Sequence, residues 1–142
     1  MTYRIQKRFR FEAAHRLLPP YAGKCSSNHG HSWSVTISLE SGSLDPSGMV
    51  FDFDGLKPLK HWIDDALDHA SLLREDDALL VHLKKEGHKT FPTEKNPSSE
   101  HLAEVILKKA NDLFKSEIRS GRFSVVSVVV NETCTARAEV RP

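Results

Sequence analysis

The stretch that most constrains this chain is residues 29–40, where His29, His31, Trp33, Val35, Ile37 and Leu39 alternate with Gly30, Ser32, Ser34, Thr36 and Ser38. Period-two alternation marks a strand with one apolar face, because successive side chains point to opposite sides. The parity places both imidazoles side by side at the strand's start. A His-x-His pair there can chelate a divalent metal, and neutral imidazoles suit zinc, copper, iron or nickel. Two histidines bonded to their neighbours is an equally good reading of the pair alone. Gly30 between them has no Cβ, so the backbone can bend or be approached closely. Cys25, next to Lys24 and small polar residues, has the setting of a reactive thiol rather than a packing one.

Residues 3–15 predict a second strand, with Ile5, Phe9, Phe11, Ala13 and His15 on one parity and Lys7 marking its solvated end. If the two strands pair antiparallel, His15 becomes the third ligand, and three histidines with an open position describe a catalytic zinc better than a structural one. Leu17 to Ser27, with Pro19-Pro20 and Gly23, reads as a loop carrying Cys25. Asp54 is the expected cap of a helix whose apolar residues run from Leu56 to Ala70 and which ends near Leu67-Asp68-His69. Ala78 to Lys85 is a candidate short helix, and Gly87 to Pro97 reads as irregular. A second main helix is predicted from Ser98 or Ser99 to about Lys115. Strands follow at Phe123–Glu132 and Thr135–Val140.

The order β-β-α-α-β-β favours an α+β fold, an antiparallel sheet with both helices on one face. Ser124 to Val130 is apolar on both parities in places, which suggests a second buried face, against another subunit.

With 142 residues, the chain is expected to form one domain with a sizeable core. A net charge of +1 argues against a general nucleic-acid or membrane-surface binder, while leaving room for a local basic pocket. Two cysteines and no apolar leader point to the cytoplasm and free thiols. No apolar run approaches transmembrane length.

Four further residues carry candidate chemistry. Asp68 beside His69 can fix the ring's tautomer for proton transfer, although a histidine at a helix end is equally explained by the helix dipole. Glu132 either marks where a strand meets water or accepts paired N–H bonds from a guanidine-like ligand edge. Glu100 fits an ordinary first-turn acid. Cys134 is expected to pack as a small apolar residue. His61, His82, His88 and His101 are expected to be solvated.

Together these residues resemble the 6-pyruvoyl-tetrahydropterin synthase and 6-carboxytetrahydropterin synthase family. The matching stretches are Phe11-Glu12-Ala13-Ala14-His15, Cys25-x-x-x-His29-Gly30-His31, Val50-Phe51-Asp52-Phe53 with Leu56-Lys57, Leu67-Asp68-His69, Asn96-Pro97-Ser98-Ser99-Glu100 and Glu132-Thr133. They come in the family's order and span nearly the whole chain. The gap between Cys25 and His29 resembles the bacterial 6-carboxytetrahydropterin synthases.

The resemblance implies a tunnelling fold, a four-stranded antiparallel sheet with two helices. Trimers of such chains stack as hexamers, with active sites between subunits. It implies zinc on His15, His29 and His31, Cys25 as general base, Asp68 and His69 as a proton relay, and Glu132 as the pterin anchor, with Glu100 nearby in the substrate site. The implied substrate is 7,8-dihydroneopterin triphosphate, converted to 6-carboxytetrahydropterin, acetaldehyde and triphosphate on the way to queuosine.

Residues 74–97 are longer than the link the family leads one to expect. For Lys84, Lys85, His88 and Lys89 in that insert, a solvated surface is favoured over triphosphate contacts. Pyruvoyl synthase activity on the same substrate and a non-catalytic zinc or pterin scaffold are the competing readings. A cupin-type oxygenase expects a glutamate where Val35 and Thr36 stand.

Overall fold

In the computed structural model, which describes residues 1–142, the alternating stretch forms β2 (His29–Ser41). It pairs antiparallel along its whole length with β1 (Tyr3–His15). The register sets Phe9 opposite Val35, Phe11 opposite Trp33 and His15 opposite His29. One face of the pair is therefore apolar up to its end, where the histidines take over.

The other elements cover that face. Asp52, rather than Asp54, caps the next segment by accepting from the Asp54 N–H. A short 3₁₀ turn leads into α1 (Lys57–Trp62), which runs on as a π turn over Ile63–Leu67. Ser98 caps α3 (Ser99–Leu113) by accepting from the His101 N–H. Leu56, Leu59, Ile63 and Leu67 join Leu102, Ile106 and Ala110 in one core with Phe11, Trp33 and Ile37. Each large apolar side chain buried there contributes about 1.5–3 kcal/mol.

The sheet departs from four antiparallel strands. It has six and is mixed, with β3 (Ala70–Arg74), β4 (Thr90–Thr93), β5 (Ser124–Asn131) and β6 (Arg137–Val140) added to β1 and β2 in the order β4-β3-β1-β2-β5-β6. β3 pairs parallel with β1, and β4 pairs parallel with β3. Between them runs α2 (Ala78–Lys85), capped by Asp77. Half of residues 74–97 are thus a helix and an edge strand, and only part of Gly87–Pro97 is irregular. Ala70 and Leu72 extend the apolar spacing of the preceding helix, which hides a five-residue strand in the sequence. Pro92 inside β4 is tolerated because β4 is an edge.

The two main helices become four: the candidate at Ala78–Lys85 forms as α2, and the chain re-forms α4 (Lys115–Arg119) after a break at Phe114. The last strands are β5 and β6. A bulge in β5 pairs Ser38 with Ser127 and Leu39 with Val125, so Val126 is the extra residue. The bulge switches the core-facing parity: Val125, Val128 and Val130 enter the core, while Val126 and Val129 stay half-buried. No helix is long and apolar enough to cross a membrane.

Candidate metal and active site

The end of the β1–β2 ladder brings His15 and His29 directly opposite one another, and His31 follows on the same face. Trp33 forms their floor, its ring centroid 4.9 Å from that of His15 and 5.3 Å from that of His31. Glu132, one residue beyond β5, reaches over from the other side. Its Oε1 lies 3.2 Å from His15 Nε2 and 3.4 Å from His31 Nε2. One ligand atom from each of these four residues lies within 4.8 Å of the others.

Proton accounting decides what this cluster wants. His15 Nδ1 donates to the Pro97 carbonyl at 2.7 Å, and His29 Nδ1 donates to the Ser27 carbonyl at 2.6 Å. Each ring then turns an unprotonated Nε2 inward, and those two atoms stand 3.1 Å apart. His31 Nε2 is buried without any hydrogen-bond partner. Burial, with lesser repulsion from neighbouring rings, holds His15 and His31 below the ordinary imidazole pKa of 6.5, favouring neutral forms. Two lone pairs, the unpartnered His31 Nε2 and a carboxylate oxygen converge. A divalent cation fits that set. Carbonyl acceptors on the remote ring nitrogens are the usual way metal-binding imidazoles are oriented.

Cys25 sits on a helical turn at Lys24–Ser26 and is partly exposed. Its N–H donates to the Tyr21 hydroxyl at 3.3 Å, and its carbonyl accepts from Leu17 N–H at 2.9 Å. Contact with the Cys25 thiol holds the Tyr21 phenol above its ordinary pKa. Asn96 clamps the base of this loop: its side chain accepts from Leu18 N–H at 2.9 Å and donates to Leu18 C=O at 2.8 Å. The next residue, Pro97, is the one that holds His15. Sequence reading missed this hinge, although Asn before Pro just ahead of a helix is a turn signal.

Asp68 and His69 form a second centre. Asp68 Oδ2 lies 2.8 Å from His69 Nδ1, and Oδ1 accepts from Glu12 N–H at 2.8 Å. The Glu12 amide, more than the imidazole or Lys89, keeps the Asp68 carboxyl below its ordinary range. His69 has φ of 59°, a left-handed conformation that costs a non-glycine residue energy and is over-represented at functional sites. A cavity of about 420 Å³ is lined by His69, Glu12 and Ser32 and extends to Gly30 and His31. Glu12 and Ser32 have the opposite parity to His31, so it opens on the face of the β1–β2 pair away from the three imidazoles.

Other residues fall elsewhere. Glu100 is exposed in the first turn of α3. His61, His82 and His88 are exposed, but His101 is buried between Glu104 and the Lys95 N–H. Its place on the inner side of α3 was masked by charged neighbours. Cys134 is exposed rather than packed, because the chain leaves the sheet at Glu132 and turns there.

The model of the 6-pyruvoyl tetrahydropterin synthase family matches residues 4–142. The chain belongs to that family. A 6-carboxy-5,6,7,8-tetrahydropterin synthase of Rickettsia conorii is 32% identical over 137 residues, covering 94% of this chain and 96% of that protein. The protein of the same name from Haemophilus influenzae is 35% identical over 129 residues, covering 82% and 90%. Among solved structures, an uncharacterized protein from Wolinella succinogenes superposes with a TM-score of 0.81 at 28% identity, covering 99% of this chain and 98% of that one. The 6-pyruvoyl tetrahydropterin synthase of Plasmodium vivax, 18% identical, shares the fold with a TM-score of 0.79, covering 100% and 98%.

Proposed function

We propose that this chain is a zinc-dependent 6-carboxytetrahydropterin synthase. In this reading it converts 7,8-dihydroneopterin triphosphate and water to 6-carboxy-5,6,7,8-tetrahydropterin, acetaldehyde and triphosphate, a step toward queuosine. The observation that carries the reading is the convergence of three imidazole nitrogens beside a carboxylate, in a family whose bacterial relatives bear that name.

His15, His29 and His31 hold the metal. When bound, the metal supplies a Lewis acid that lowers the pKa of the substrate's side-chain hydroxyls. Glu132 accepts the paired N–H groups of the pterin's amino-pyrimidinone edge, in a geometry matched to a carboxylate. Cys25, as thiolate, removes a proton from the carbon side chain. His69, its tautomer fixed by Asp68, delivers or accepts the other proton. Glu100 at the start of α3 belongs to the substrate site. Arg8 and Arg10 line a cavity of about 390 Å³ together with Glu132 and His31.

The 142 residues act as one cytoplasmic domain, with 74–97 as an insert. Chains assemble as trimers or hexamers with the active site between subunits. Free sheet edges at β4 and β6 and the half-buried Val126 and Val129 support that assembly.

The test is turnover of 7,8-dihydroneopterin triphosphate by protein stripped with a chelator and then reloaded with zinc. Stripping is expected to abolish product and one zinc per chain to restore it. Equal turnover in both states counts against the metal.

A further inference from the structure

In the insert at 74–97, Lys89 is exposed, as expected, yet its ammonium is tied to backbone carbonyls. β4 begins at Thr90, and the residue before it, Lys89, has its backbone fixed because its carbonyl accepts from Ser71 N–H at 3.0 Å. From there its ammonium donates to two carbonyls, Asp64 at 3.0 Å and Asp68 at 2.6 Å. Asp64 lies within the single π turn and Asp68 caps it, and the carbonyls of a last turn lack partners along the helix and favour a cation.

The second contact matters most. The peptide joining Asp68 to His69 has two polar groups. Its carbonyl oxygen is held by Lys89, and its N–H donates to the Glu12 carbonyl at 2.6 Å. A peptide plane held at both ends fixes the torsions on either side, here ψ of Asp68 and φ of His69. That φ is the one left-handed value at a non-glycine residue in the chain. Such a conformation persists only where the surroundings over-determine it. The same torsions set the direction of the imidazole, itself exposed, at the cavity it lines with Glu12 and Ser32.

The geometry points to Lys89 as a positioning residue: through the Asp68 carbonyl it holds the Asp68–His69 peptide, and hence the His69 imidazole, in its working orientation. The insert thereby serves the relay rather than the triphosphate. This rests on the reading of Asp68 and His69 as the proton relay. Lys89 itself touches no reacting atom.

The test compares Lys89→Met, which keeps the length of the stem without its donors, with Lys89→Arg, which keeps donors. Two readouts are taken on zinc-loaded protein: hydrogen exchange of the His69 amide, and kinetics on 7,8-dihydroneopterin triphosphate. In Lys89→Met the His69 amide is expected to exchange at least about tenfold faster while amides of β1 and β2 keep their protection. Its kcat is expected to fall at least about tenfold with KM changed less than about threefold, and Lys89→Arg to recover both readouts substantially.

Unchanged protection at His69 in Lys89→Met overturns the clamp, as does a Lys89→Arg variant no better than Lys89→Met. Lost protection with unchanged kcat overturns its link to catalysis. Should wild type turn over no pterin, the proposed function fails instead, and the exchange measurement still decides whether Lys89 holds the peptide.

Discussion

Glu132 Oε1 stands 3.2 Å from Nε2 of His15, so a carboxylate from beyond β5 closes the ring of nitrogens laid out by β1 and β2. Burial keeps His15 below its ordinary pKa, and the approach is therefore between a lone pair and a carboxylate rather than within an ion pair. Two roles compete for that oxygen: fourth metal ligand and pterin anchor. Glu132→Gln separates them. As an anchor, the variant retains about one zinc per chain, its zinc affinity weakened no more than about tenfold, and loses turnover. Loss of zinc comparable to that in His31→Ala would make Glu132 a ligand.

Asn96 joins the Cys25 loop to the hinge that holds His15. Removing its side chain leaves Leu18 N–H and C=O without partners, at a cost of about 1–3 kcal/mol. Asn96→Ala is expected to lower the unfolding free energy in urea by that amount. It should also speed alkylation of Cys25 by iodoacetamide, followed by mass spectrometry against the exposed Cys134.

Legibility followed the range of the interactions. The β1–β2 ladder and its histidines were readable because alternation is local and the pairing antiparallel. β3 and β4 were not, since their parallel partners lie across a helical crossover and neither segment alternates. The doubly apolar stretch at Val125 and Val126 looked like two buried faces, whereas a bulge accounts for much of it. Asp68 beside His69 was visible as a dipeptide, but nothing in the sequence announced the left-handed φ or Lys89 behind it. His101 was hidden by its charged neighbours.

Asp77 ties the insert to the strand that bears His15. Its buried carboxylate accepts from Arg16 Nε at 2.8 Å and from Arg16 Nη2, and it also caps α2 through Leu79 N–H at 2.8 Å. The Arg16 hydrogen bonds keep the Asp77 carboxyl below its ordinary range. A depressed folded pKa adds stability that is fully present above the unfolded value, near 3.8, and lost as pH falls through the folded value. Asp77→Ala is expected to cost about 3 kcal/mol, and Asp77→Asn less because it keeps the cap. Both variants should show a flatter loss of stability below about pH 4 than wild type, measured by urea unfolding at each pH.

Cys25→Ser is expected to retain zinc and the thermal midpoint, because the thiol is partly exposed and is not among the metal-cluster residues. Its turnover should fall at least about a hundredfold, since a serine hydroxyl is a far weaker base than a thiolate. Unchanged turnover would assign proton removal to another group and favour a scaffold role for the loop.

The most direct measurement is an anaerobic incubation of zinc-loaded protein with 7,8-dihydroneopterin triphosphate, with products identified by mass spectrometry. The account predicts 6-carboxy-5,6,7,8-tetrahydropterin with acetaldehyde in equal amounts. A 6-pyruvoyl product without a two-carbon fragment, or no pterin product at all, would contradict it.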